Sequence, residues 1–337
     1  MGQLAHLQNY AMLDNCEVIG VTDAKQKQAA MVAAAYNVPK VYTSLAEMLA
    51  DPQIDAIVAS QQFNNHVNFV CDVLNAGKHL LTEKPLCVFA ENGQELVEAA
   101  RRNKKIHMIA NHKRSDPAVE YAVNVIRKWQ CTGEMGKMRY IRLTMPPGDW
   151  IGGATGAGRP INTNEPYAAY PPEPAPAGVC PETAAKHVAF VNYYIHQVNL
   201  MRYLLGEDYK LAYADKTGVL LATESVSGIA GVIEMSPYST SDSWQESAMV
   251  CFEKGYVLIK MFAPLTSQRA GEVEVFTDNG TGGVFTLPVL PNVSAMKNQA
   301  INFIKAINGE IEPPCCSAEA LKDLEFAAEY IASSLRT

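Results

Sequence analysis

The first ~120 residues alternate short apolar runs with helix-length segments, and no other feature of the chain constrains its fold as much. Apolar runs at 16–23 (CEVIGVTD), 54–60, 79–82 and 106–110 read as strands buried within a sheet. Between them, 26–36, 44–51, 66–76 and 91–103 read as helices. Ser44-Leu-Ala-Glu47 has the form of a capping box, and Gly77 stands where a helix should stop. Asp116-Pro117 supplies a cap and a first-turn proline for a helix reaching to about Trp129. Strands that alternate with helices pair in parallel. The expected fold is therefore α/β, with an N-terminal Rossmann-type, doubly wound parallel sheet.

After Gly136 the pattern changes. A strand at 138–145 leads into a Pro/Gly-rich excursion over 146–181, too long to be an idle connection. An apolar helix follows at 188–205. Runs at 219–235, 248–261, 272–278 and 283–289 then alternate in the manner of an antiparallel sheet, and helices at 295–307 and 318–334 close the chain. The expected organisation is a dinucleotide-binding domain over 1–115 and a substrate-binding, oligomer-forming α+β domain over 116–337, with an open, mostly antiparallel sheet. The closing helices are free to pack back on the first domain.

A net charge of -7 argues against nucleic acid as partner, because phosphate binding needs clustered cations. No apolar run is long enough to span a membrane, and MGQLAHLQNYAML has neither a secretory leader nor the Ser or Thr of a myristoylation signal. The eight cysteines form no CxxC pair, so no metal site is expected and a reducing cytoplasmic setting fits.

Chemistry-bearing residues gather at two places. Gly2 opens a helical pattern, and Asp23 closes the next strand 21 positions later. That spacing suits the last glycine of a dinucleotide fingerprint and the carboxylate that receives the adenosine ribose. In this register the first strand and the first two glycines lie upstream of Met1. A carboxylate at Asp23 favours NAD over NADP, although Lys25 and Lys27 nearby leave NADP open, and a plain turn or helix-capping aspartate is the bland alternative. The second place is the run AGKHLLTEKP at 76–85. A lysine before proline is held extended, and at the C-terminal end of a parallel strand its side chain enters the ligand crevice. There Lys84 can polarise a substrate oxygen.

This run resembles the AGKHVxxEKP motif of the Gfo/Idh/MocA family, the glucose-fructose oxidoreductases and inositol dehydrogenases. Val21-Thr22-Asp23, His66, Asn111–Arg114 with Pro117, and Gly133–Gly136 extend the likeness over most of the chain. The resemblance implies that Lys84 is catalytic, that the Lys84-Pro85 peptide is cis, and that Gly2, Asp23, Ser60, His66, Glu83, Lys84 and Arg114 bind the cofactor.

In the second half, Asn192, His196, Asn199 and Tyr203 recur at helical spacing as one polar stripe. Burying them unpaired would cost about 1–3 kcal/mol each, so a substrate or a core network must satisfy them. His196 suits the base that takes a hydroxyl proton. In the family the corresponding segment is D-x-x-x-H-x-x-D, whose histidine is the acid/base. Asn192 and Asn199 stand where its aspartates would be. Asp149 and Trp150, with Arg159, Tyr167 and Tyr170 further along the excursion, could wall a carbohydrate site or form an oligomer contact. Lys186 and His187 are secondary candidates; His6, His79, His107 and His112 lack a partner pattern.

These readings lead to an NAD(H)-dependent oxidoreductase that oxidises a secondary hydroxyl of a sugar, glycoside or cyclic polyol to a ketone. The expected substrate residues are Lys84, Asp149, Trp150, Asn192, His196 and Asn199, and the expected assembly is a homo-oligomer through the C-terminal sheet. A glycosidic ring carbon is the favoured site of oxidation. The alternatives are a cofactor-binding regulatory member and a truncated form with impaired NAD binding.

Overall fold

A computed structural model describes residues 1–152, 160–167, 170–171 and 173–334. Their contacts form two compact units. Unit 1 comprises 1–110, 155–179 and 299–322, and unit 2 comprises 111–154, 180–298 and 323–337.

Unit 1 begins with a π-helical turn (Gly2–Leu7) that runs into α1 (Gln8–Tyr10). The chain then alternates through β1 (Gly20–Val21), α2 (Gln26–Tyr36), β2 (Lys40–Val41), α3 (Leu45–Ala50), β3 (Ala56–Ala59), α4 (Val70–Asn75), β4 (His79–Thr82), α5 (Ala90–Asn103) and β5 (His107–Ile109). Every strand pair is parallel: β1 with β2, and β3 with β4 with β5. The local signals hold. Ser44 Oγ accepts from Glu47 N at 3.1 Å, while the Glu47 carboxylate reaches back to Thr43 N rather than to the cap residue itself. Gly77 follows α4 at φ 74°, a conformation that strains any residue with a Cβ. The expected helix over 66–76 divides into a 3-10 turn (Phe63–Asn68) and α4.

The expected buried strand over 16–23 is corrected. Only Gly20–Val21 forms a ladder, and its neighbours are half-buried or exposed. A strand needs partners for its backbone groups, and β1 pairs on one side only, with β2; the segment also borders an open cavity. The core of the unit lies beside β4 and β5, where Leu81, Met108 and Ala110 pack against Tyr10, Ala300 and Phe303. β4, the middle strand of its sheet, and β5 at its edge are both buried along almost their full length.

Unit 2 is built on an eight-stranded sheet. Its strands are β6 (Met138–Thr144), β7 (Tyr209–Ala214), β8 (Leu220–Ser225), β9 (Ala230–Glu234), β10 (Glu246–Phe252), β11 (Gly255–Met261), β12 (Glu272–Asp278) and β13 (Gly283–Thr286). They lie in the order β13-β12-β11-β10-β6-β9-β8-β7, antiparallel except where β6 runs beside β9. Two apolar runs read as single stretches are hairpins, β8–β9 and β10–β11, each with a short turn inside it. Along β10 the burial alternates residue by residue, so one face is packed and the other is partly open.

The packed face receives α6 (Pro117–Thr132), capped by Asp116, whose carboxylate accepts from Ala118 N at 2.8 Å. The expected single helix over 188–205 is two, α7 (Pro181–Tyr193) and α8 (Ile195–Leu205). Pro181 starts the first of these, as a proline can where its missing N–H is not needed. Tyr194 separates them, its hydroxyl tied to Met235 O and Ser236 Oγ. The last two helices are α9 (Ala295–Ile307) and α10 (Ser317–Ser334). Among the described residues no helix is long and apolar enough to cross a membrane.

Candidate functional site

Within unit 1 the whole lengths of the 15–24 and 53–61 segments, the helical start of the chain and the end of α9 surround a cavity of about 830 Å³. Gly2, Asp23 and Ser60 all line it, which brings together three residues separated by 21 and 37 positions. A Cβ at Gly2 would lie 2.7 Å from Ser60 Oγ, so any side chain there would displace Ser60. Asp23 is held by its own turn, with its carboxylate accepting from Lys25 N at 2.8 Å. The Tyr10 hydroxyl also lines the cavity. It is buried, meets no hydrogen-bond partner among the described residues, and its ionisation is strongly suppressed by that burial.

A closely approachable helix start, a carboxylate at a strand end and an unsatisfied hydroxyl around one cleft fit a dinucleotide. The helix start would hold its pyrophosphate, and Asp23 its adenosine ribose.

Lys84 follows β4 and is half-buried, and the Lys84-Pro85 peptide is cis. The residues around it are firmly tied. Glu83 is buried and pairs with His6 at 2.6 Å. His66 is completely buried, and its Nδ1 donates to Leu86 O at 2.9 Å; desolvation lowers its pKa, so it stays neutral. His66 and Glu83 were expected to bind cofactor. Their visible contacts instead brace the turn that carries Lys84, and neither lines the cavity.

His6 is a residue that sequence reasoning missed. Its partner lies 77 positions away, beyond any local pattern. His79 and His107 also have partners, Ile106 N and Thr82 Oγ1 respectively, and burial pushes the pKa of His107 down to about 3.

The excursion after β6 proves to serve unit 1. Gln3 and Ile161 exchange two hydrogen bonds, of 2.8 and 2.9 Å. Glu165 accepts from Lys27 N and Gln28 N. Glu173, buried, accepts from Val88 N, Phe89 N and Asn92 Nδ2 at 2.8–2.9 Å. Tyr167 and Tyr170 lie on the wall of the same cavity as Gly2 and Asp23. Arg159 lies outside the described residues.

In unit 2, His196 stands in the first turn of α8, half-buried, with its ring 5.0 Å from that of His112 and edge-on to it. The polar stripe does not run unbroken, because the helix divides at Tyr194. Asn192 is exposed on α7, whereas Asn199 is 1% exposed on α8. Asn199 accepts from Arg114 Nε at 2.6 Å and donates to Asp323 at 2.6 Å. Arg114 in turn lies 4.6 Å over the Tyr203 ring, and Asp323 pairs with Arg202 at 3.0 Å. Asn199 and Arg114, expected on substrate and cofactor, therefore belong to a buried network.

A second network beside it was not foreseen. Glu246 accepts from Lys113, from Gln197 Nε2 at 2.6 Å and from Trp244 Nε1 at 3.0 Å. It compensates a lysine that is only 4% exposed. The network fixes the turn holding His112 against the helix holding His196. Asp149 closes a local turn on Ile151 N, and Trp150 is exposed beside it. His187 is buried on α7, and Lys186 pairs with Glu182.

Residues 1–112 match the family described as "Oxidoreductase family, NAD-binding Rossmann fold", Gfo/Idh/MocA. Residues 1–112 therefore carry the NAD-binding Rossmann fold of the Gfo/Idh/MocA oxidoreductases. A myo-inositol 2-dehydrogenase from Thermotoga maritima is 22% identical over 234 residues, which cover 68% of this chain and 58% of that relative. Two solved structures share the fold along nearly the whole chain. The first is an NAD-binding oxidoreductase from Klebsiella pneumoniae, with a TM-score of 0.72 and 17% identity over 99% of this chain and 94% of its own. The other is a 3-ketoreductase from Actinomadura kijaniata solved with NADP, with a TM-score of 0.68 and 13% identity over 98% and 94%. Solved structures with this fold thus include one described as NAD-binding and one that holds NADP.

Proposed function

We propose that this chain is an NAD-dependent dehydrogenase that oxidises a secondary hydroxyl of a cyclic polyol, sugar or glycoside to a ketone. The observation that supports this reading is the cavity of unit 1, which Gly2, Ser60 and Asp23 line together. Relatives named as inositol and dihydrodiol dehydrogenases support the substrate class. When bound, NAD supplies the hydride acceptor.

The chain's own groups do the rest. Lys84, held by a turn braced through the His6–Glu83 pair and His66, donates to the substrate oxygen and stabilises the charge that grows on it. His196 takes the hydroxyl proton as hydride leaves the same carbon. His112 and the Lys113–Glu246 network hold the imidazole in place. Asn192, exposed near the start of α8, is the amide left to contact substrate, with Asp149 and Trp150 as further candidates. The partly open face of the eight-stranded sheet and the exposed Phe285 and Leu287 beside β13 support a homo-oligomer formed through this sheet.

A panel of inositols, free sugars and glycosides, each incubated with NAD, tests the reading by the absorbance of the reduced cofactor. At least one secondary alcohol in the panel is expected to produce reduced nicotinamide. Saturable NAD binding with no reduction by any member would instead favour a cofactor-binding regulator.

A further inference from the structure

The N-terminus of α2 lies directly after Asp23 and presents backbone N–H groups that no residue of its own helix can satisfy. Its cap residue, Lys25, offers no side-chain acceptor. Such a helix start attracts an anion, since the N–H groups and the helix dipole point the same way. Glu165 takes that role from 137–138 positions away, accepting from Lys27 N at 2.9 Å and from Gln28 N at 3.1 Å. Thr163 Oγ1 donates to the same carboxylate at 2.7 Å. These bonds hold its carboxyl below the ordinary glutamate range, the bond from Lys27 N contributing most, so it is an anion at neutral pH.

The cap residue's own cation is held by the same segment. Lys25 Nζ lies 5.1 Å over the Tyr167 ring and donates to Thr163 O, both on the segment that carries Glu165. Tyr167, Asp23 and Gln28 line the cavity, so this arrangement stands at the dinucleotide site's own edge.

We propose that Glu165 is a specificity-determining residue: it occupies the anion position at the start of α2 and so excludes dinucleotides that carry a 2′-phosphate on the adenosine ribose. Asp23 alone repels that phosphate from the strand side. Glu165 removes the N–H donors that could receive it and adds a second negative charge. The segment also engages the Lys25 ammonium, which would otherwise be available to the phosphate. The inference rests on the dinucleotide reading of the cavity and names a discriminating residue that the end of β1 does not contain.

Calorimetric titration of the whole chain with NAD and with NADP provides the test, because it reads affinity without turnover. Wild type should bind NAD and discriminate against NADP. Glu165→Ala should narrow the ratio of the two dissociation constants about tenfold or more, chiefly through tighter NADP binding. Glu165→Gln, which keeps an acceptor for the N–H groups but loses the charge, should shift it less. Asp23→Ser should also narrow the ratio, and combining it with Glu165→Ala should narrow it further.

If both Glu165 variants bind NAD like wild type with an unchanged ratio, the inference falls, and Glu165 is only a helix cap. A lowered melting temperature with an unchanged ratio leads to the same conclusion. Wild type that binds neither dinucleotide would overturn the cofactor reading itself, which is a distinguishable result.

Discussion

Replacing Lys84 with alanine should lower kcat by about 10²–10³-fold with the best substrate of the panel, the usual cost of removing one donor from a developing oxyanion. NAD affinity should change little. The asymmetry follows from position: the residues that line the dinucleotide cavity include Gly2, Asp23 and Ser60, whereas Lys84 stands apart from them, after β4. The turn should survive the change, because its anchors are other residues, Glu83 on His6 and His66 on Leu86 O. Lys84→Arg should rescue poorly, since a planar guanidinium does not replace a compact ammonium at one oxygen. Steady-state kinetics together with NAD titration check both halves. A near-normal kcat would remove Lys84 from the chemistry, and lost NAD binding would make it a cofactor residue instead.

His196→Ala is expected to cost about 10²–10⁴-fold in rate, the span of a positioned acid/base. In the oxidation direction the imidazole must be neutral to accept the proton, so wild-type rate should fall as the solution is acidified. The variant should lose that fall as well as the rate. Replacing His196 with asparagine keeps polarity at the site but removes the titration, and it should behave like alanine in the pH profile. A profile unchanged by either substitution would exclude His196 as the base, whatever the loss in rate.

What the sequence disclosed and what it hid separate along a physical line. Features decided within a few residues were legible: the Ser44 cap, the stop at Gly77, the Asp116-Pro117 start of α6, and the parallel strands around Leu81 and Met108. Gly2 and Asp23 could be brought together because their spacing reflects a fixed strand–helix geometry. Features decided by partners far along the chain were not legible. Nothing near His6 announces Glu83, and nothing near Glu165 announces the start of α2.

The excursion after β6 stood out by its length and composition, yet its destination on unit 1 depends on contacts spanning more than 80 positions. The helix holding His196 was misread for a different reason. Hydrophobic periodicity continues through Tyr194, and only the bonds of its hydroxyl to Met235 and Ser236 reveal the break. Asn199 shows the limit of spacing arguments. A polar residue on an apolar helix signals that a partner exists, but that partner proved to be Arg114 and Asp323.

The central claim is that hydride passes from a substrate carbon to the nicotinamide. The most direct measurement uses the panel's best alcohol, labelled with deuterium on the carbon that bears the reacting hydroxyl, with mass spectrometry of both products in ordinary water. The account predicts a ketone that has lost the label and a reduced nicotinamide that carries it, in equal amounts. Reduced nicotinamide without deuterium, or a ketone formed with no reduced cofactor, would contradict it.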